Sequence, residues 1–175
     1  MAKKEIDEVT EKTLGKGGLL VKMYFDMHGE TPDELQPIMT DLINNKLLKA
    51  PGVVYCFGGI DEPVKSGDLY STSAIITALL SSMESLVGVV FSFAPVGIEV
   101  IKPDGQYVMR KNDVQSLMLA LSDISISYSN YILQKTLSPE DYAKVQVDMT
   151  LRKEIGKKLL DKKDSEQTPQ HHGAV

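Results

Sequence analysis

A single cysteine, Cys56, stands among 175 residues, and tryptophan is absent. One thiol excludes a disulfide within the chain and every Cys-x-x-Cys pattern, and it fits a reducing compartment. Basic charge is also short. Nineteen Lys and Arg against 24 Asp and Glu leave a formal charge of −5, which argues against nucleic acid or an anionic membrane surface as the main partner, since both demand a basic face. No long uninterrupted hydrophobic run is present either. The most apolar stretch, 72–98, carries Glu84 near its middle and serines at 73, 81, 82, 85 and 92. A central carboxylate costs about 3 kcal/mol in a spanning helix, so the stretch reads as a soluble strand followed by a helix. The N-terminal residues Met-Ala-Lys-Lys-Glu-Ile-Asp-Glu lack the apolar segment of a signal peptide. The expectation is a cytoplasmic protein with no membrane partner.

What is present is a chain 42% hydrophobic, enough to bury the core of one domain with an appendage. Residues 1–16 are polar and lead into Gly15-Lys16-Gly17-Gly18, a turn without the GxxxxGK[ST] spacing of a phosphate loop. Leu19 to Met27 reads as a central strand. Thr31-Pro32-Asp33-Glu34 sets a capping threonine before a first-turn proline, opening a helix with Leu35, Ile38, Met39, Leu42 and Ile43 on one face. That helix should end before Ala50-Pro51-Gly52, with Pro37 bending or restarting it. Val53 to Phe57 and the alternating run Leu69 to Leu80 are strands. Ser81-Ser82-Met83-Glu84 opens a second helix with a stripe of Leu86, Val87, Val90 and Phe93, and Ile98 to Ile101 is the next strand.

Pro103-Asp104-Gly105 is turn material, so Tyr107 to Arg110 is expected to fold back as an added hairpin strand. Asn112 then caps a long helix to about Gln134, with Val114, Leu117, Met118, Leu121, Ile124 and Tyr128 along its face. Ser138-Pro139-Glu140-Asp141 starts the last helix. The resulting boundaries are a polar segment over 1–16, an α/β domain with its long helix over 17–137, a C-terminal helix over 138–163, and a disordered tail over 164–175.

Strand, helix, strand, strand, helix, strand is the βαββαβ order of a ferredoxin-like α+β sandwich, here with an added hairpin strand and two C-terminal helices. Right-handed crossovers place the first and third strands of that order in the centre and both early helices on one face. Leu47-Leu48-Lys49-Ala50-Pro51-Gly52-Val53-Val54, together with Phe93-Ala94-Pro95-Val96-Gly97-Ile98, resembles the two helix-to-strand junctions of ligand-binding domains of the ACT and leucine-responsive-regulator type. The resemblance spans residues 19–101. It implies a regulatory module that binds an amino acid or another small effector between subunits and oligomerises through sheet edges or faces.

In this arrangement the end of the first strand meets the loop that joins the second and third. Asp26, His28 and Glu30 leave the first strand, and Asp61, Glu62 and Asp68 flank the other two. These six are the candidate ligand-binding residues, and Asp26, His28 and Glu30 could hold a divalent metal. Polar loop residues are far more often simply solvated. Cys56 with His28 as base would make a nucleophile pair, although a cysteine in an aliphatic strand is usually a small buried hydrophobe. His171 and His172 are adjacent tail residues suited to adventitious metal binding. Tyr128, Tyr131 and Tyr142, with serines at 122, 125, 127 and 129, are expected along a helix–helix seam. No Ser-His-Asp order and no GxGxxG run occurs. The expected function is therefore a non-catalytic small-ligand-binding or regulatory domain acting as a homo-oligomer. A metal-dependent enzyme using Asp26, His28, Glu30 and Asp61, or a structural interaction module, are the alternatives.

Overall fold

The structure is a computed structural model and describes residues 3–166. It divides into two compact units, Met1–Ile124 and Ser125–Val175. The division falls inside the long helix rather than at residue 137.

The first unit opens with α1 (Lys3–Leu14), followed by β1 (Leu19–Gly29), α2 (Pro32–Asp41), β2 (Val53–Ile60), β3 (Val64–Ser66), β4 (Leu69–Leu80), α3 (Met83–Phe93) and β5 (Gly97–Lys102). Four strands run in the order β2-β4-β1-β5, all neighbours antiparallel, and β3 adds a short pairing to β4. This is a ferredoxin-like α+β sheet with β1 and β4 in its centre, as the order of elements requires. The extra strand is Val64–Ser66, in a hairpin with β4, and not Tyr107 to Arg110.

Alternation decides what each strand buries. Leu19, Val21, Met23 and Phe25 of β1, with Ala74, Ile76, Ala78 and Leu80 of β4, face the helices. They form one core with Met39, Ile43, Leu47, Leu86 and Val89. The helical stripe of α3 is therefore Leu86, Val89, Val90 and Phe93, with Val89 in the place of the expected Val87. Pro32 occupies the first turn of α2, and the helix runs through Pro37 without stopping. Its last turns, Leu42–Leu47, are wound wider as a π-helix, with Leu48 N–H donating to the Ile43 carbonyl at 3.0 Å. Ile43 and Leu47, four residues apart on this segment, both lie in the core.

Capping follows the sequence at one helix and departs from it at the other. Ser82 caps α3 by accepting from the Ser85 N–H at 3.1 Å. Thr31 has the extended backbone of a cap, yet its hydroxyl makes no capping bond. The largest departure is α1, a helix where a polar segment was expected. Tyr107 explains the missing strand. Its ring packs against the core, and its hydroxyl donates to the Gly17 carbonyl at 2.7 Å, so the segment after Gly105 ties the α1–β1 turn instead of lengthening the sheet.

Helix α4 (Lys111–Thr136) crosses from the first unit into the second, which also holds α5 (Pro139–Glu166). Ser138 caps α5, accepting from the Asp141 N–H at 3.2 Å. The helix continues through Glu166, so the first three residues of the expected disordered tail are helical. The remainder of that tail, with His171 and His172, lies outside the described residues. No residue of α4 is fully buried. Tyr128 and Tyr131 are exposed rather than set in a seam, and Tyr142 accepts a bond from Gln146 at 2.7 Å. Among the described residues no helix is long and apolar enough to cross a membrane.

Candidate functional site

The sheet has a second face, turned away from α2 and α3. Cross-strand partners share a face, and the registers place Lys22, Tyr24, Asp26 and His28 of β1 beside Thr77, Ile75, Ser73 and Ser71 of β4. Phe57 and Tyr55 of β2 and Glu99 of β5 complete the surface. Helix α1 covers one end of it. Leu79, which looks to this side, is fully buried, and the Thr10 and Tyr55 hydroxyls meet at 2.8 Å.

Beyond α1 the face is open. Phe57 is 58% exposed and Ile75 47%. The Phe57 ring stacks on Tyr55 with centroids 6.1 Å apart. The charge on this part is internally matched, since Glu99 lies 3.5 Å from Lys22 and accepts from the Tyr24 hydroxyl at 3.3 Å.

The far end carries a row of polar groups. Asp26 Oδ2 lies 2.9 Å from His28 Nε2, and its Oδ1 accepts from the Ser71 hydroxyl at 2.9 Å and from the Met27 N–H at 3.0 Å. One strand over, Ser73, the register partner of Asp26, donates to Asp61 at 2.5 Å. Three of the six candidate residues, Asp26, His28 and Asp61, thus lie on one surface, Asp26 joined to His28 and Ser71 and Asp61 joined to Ser73. Glu30, Glu62 and Asp68 are exposed outside the strands and take no part in the row.

The cation expectation loses its donor set. Among the described residues no group of three or more His, Cys, Asp or Glu is placed to hold a metal ion. Residues 26, 28 and 30 share a face only while the strand continues, and β1 ends at Gly29. The cysteine pair fails on the same alternation. Cys56 is opposite Ala78 and packs against the core, whereas His28 is opposite Ser71 on the other face. Burial pushes the Cys56 thiol up, away from the thiolate a nucleophile needs.

Sequence reasoning missed Ser71, Ser73, Tyr24, Phe57 and Ile75 as parts of this surface. The alternation of β4 had already put 71, 73 and 75 on one side, and only the register with β1 was lacking. It also missed a cavity of about 410 Å³ beside α3, lined by Gly52, Ser85, Gly88, Phe93, Ala120 and Ile124 among others, with Glu84 as its charged group.

The model of the MJ0538 family matches residues 20–162, from the second residue of β1 to near the end of α5. The chain belongs to the MJ0538 family. No curated protein and no solved structure matches it. The MJ0538 match takes in the whole open face, all of α4 and most of α5, but leaves out α1.

Proposed function

We propose that this chain is a non-catalytic, cytoplasmic binding domain of a regulatory kind, working as a homo-oligomer and taking a small effector on the open face of the sheet. The observation that carries the reading is one continuous surface with an exposed aromatic and aliphatic patch, Phe57 and Ile75, running into the hydrogen-bonding row Asp26, His28, Ser71, Ser73 and Asp61. Small-ligand sites combine apolar contact with a few convergent polar groups in this way. The resemblance to amino-acid-binding regulatory domains favours an amino acid or a similar zwitterion. His28 would meet its carboxylate through the ring nitrogen that Asp26 does not hold, and Asp26 and Asp61 its ammonium, while Ser71 and Ser73 hold the two aspartates in place. The same carboxylates, with Glu99, disfavour a phosphate backbone on this face.

A thermal-melt screen of the full chain against the twenty amino acids tests it, because a ligand that binds only the folded state raises Tm by mass action. The expected result is a shift for one or a few amino acids that is lost in His28→Ala and in Phe57→Ser but kept in Gly88→Leu, which blocks the cavity beside α3. A shift that survives the first two substitutions and disappears in the third would overturn the assignment to the open face.

A further inference from the structure

The described residues of the second unit form no interior of their own. None of its described residues is fully buried, although it contains Tyr128, Tyr131, Ile132, Val147, Leu151 and Ile155. Two helices alone cannot enclose a core, and apolar stripes left on them need a covering surface. On α5, Val147, Leu151 and Ile155 follow at four-residue steps and so share one side of the helix. They are 71, 54 and 50% exposed. A shallow groove of about 360 Å³ runs beside them, between Gln146 and Glu154.

The sequence of α5 is also divided by charge. Its first turn holds Glu140 and Asp141. Residues 152–163 contain six basic residues, Arg152, Lys153, Lys157, Lys158, Lys162 and Lys163, against Glu154 and Asp161.

We propose that the occupant of this stripe is a second copy of the chain, with the two α5 helices antiparallel. Antiparallel pairing sets the acidic first turn of each helix beside the basic stretch of the other, while parallel pairing would stack like charge on like at both ends. The size fits a modest dimer. The 28 residues of α5 span about 42 Å at a width of about 10 Å, and the last turns of α4 add about 180 Å². That gives each copy a footprint of about 600 Å², at the lower end of stable interfaces. The inference rests on the homo-oligomer reading above and names its surface.

Sedimentation of the full chain over a range of concentrations, combined with zero-length carbodiimide cross-linking, tests both surface and direction. The expected result is a reversible dimer that weakens with added salt and becomes monomeric in Leu151→Asp and in Val147→Asp, with circular dichroism unchanged. Its cross-links should join Glu140 or Asp141 to the lysines at 157–163. Within one helix those groups are about 24 to 35 Å apart, beyond the reach of a bond with no spacer, so such links report the second copy. A wild-type monomer throughout would overturn this proposal and the homo-oligomer reading together. A dimer that persists in both aspartate variants would overturn only the surface, and a dimer without acid-to-lysine links would overturn the antiparallel arrangement.

Discussion

Gly52 sits at the turn between the π-helical segment and β2 with φ at +81°, and a Cβ there would fall 1.9 Å from Ser85 Oγ. Backbone conformation and space both demand glycine, which is why Pro51-Gly52 was readable as a helix stop. Gly52→Ala is expected to lose more than about 1 kcal/mol, seen as a lower urea midpoint at unchanged slope. An unchanged midpoint would mean that the hydroxyl cluster of Ser81, Ser82 and Ser85 yields without cost. The site residues were readable in a different degree. Asp26 and His28 were grouped because both leave the first strand, and they do meet, since β1 runs on to Gly29 and sets the two on one face. Ser71 and Ser73 were out of reach, because a hydroxyl in a strand acquires meaning only from its cross-strand neighbour. Glu30 shows the converse, since the spacing 26, 28, 30 suggests a trio and the strand stops one residue too soon.

Elements with strong periodicity were legible almost to the residue: β4 runs Leu69–Leu80 as the alternation indicates. Helix α1 was not, because its twelve residues carry few apolar side chains and its place depends on contacts such as Thr10 with Tyr55. The segment after Gly105 was misread because turn chemistry says where a chain reverses and leaves open what it meets next. Tyr107 decides that outcome, and its titration gives a test. Burial, the main cause, and the nearby Asp113 carboxylate push its hydroxyl above the ordinary 10.0, while a bond from the Met83 backbone pulls it down. A raised value in the folded state means that the stabilisation is complete below about pH 10 and is lost as pH rises through the folded value. Tyr107→Phe should cost about 1 kcal/mol at neutral pH, since the Gly17 carbonyl loses its donor, and should flatten the alkaline loss. Urea denaturation at neutral pH and above pH 10 reads both effects, and a variant with the wild-type alkaline slope would remove Tyr107 as its source. On the acid side the sign reverses. Asp41 is held below its ordinary range by Asn45, Asp113 by Arg110 and Asp141 by Lys144, so what they contribute is present above about pH 4 and fades as pH falls further. All three are exposed, so salt screens them.

At the scale of the whole molecule, the first unit buries a continuous core between its sheet and two helices, whereas the second presents apolar residues with none fully buried among those described. Those two conditions should differ in how they respond to concentration. Stability of the first core is a property of one chain. If the second unit is completed by another copy, dimerisation adds a contribution that grows as RT ln(1 + [L]/Kd), about 2.7 kcal/mol at a free concentration one hundred times Kd. The melting temperature of the full chain is therefore expected to rise with protein concentration, and the rise should vanish in Leu151→Asp while the melt itself remains cooperative. Scanning calorimetry at several concentrations measures this without any knowledge of the effector. A concentration-independent Tm in the wild type would show that the chain melts as a monomer and that the exposed stripe of α5 is simply solvated. A dependence that survives Leu151→Asp would move the self-association to another surface, and the open sheet face, with Phe57 and Ile75 exposed, would be the next to substitute.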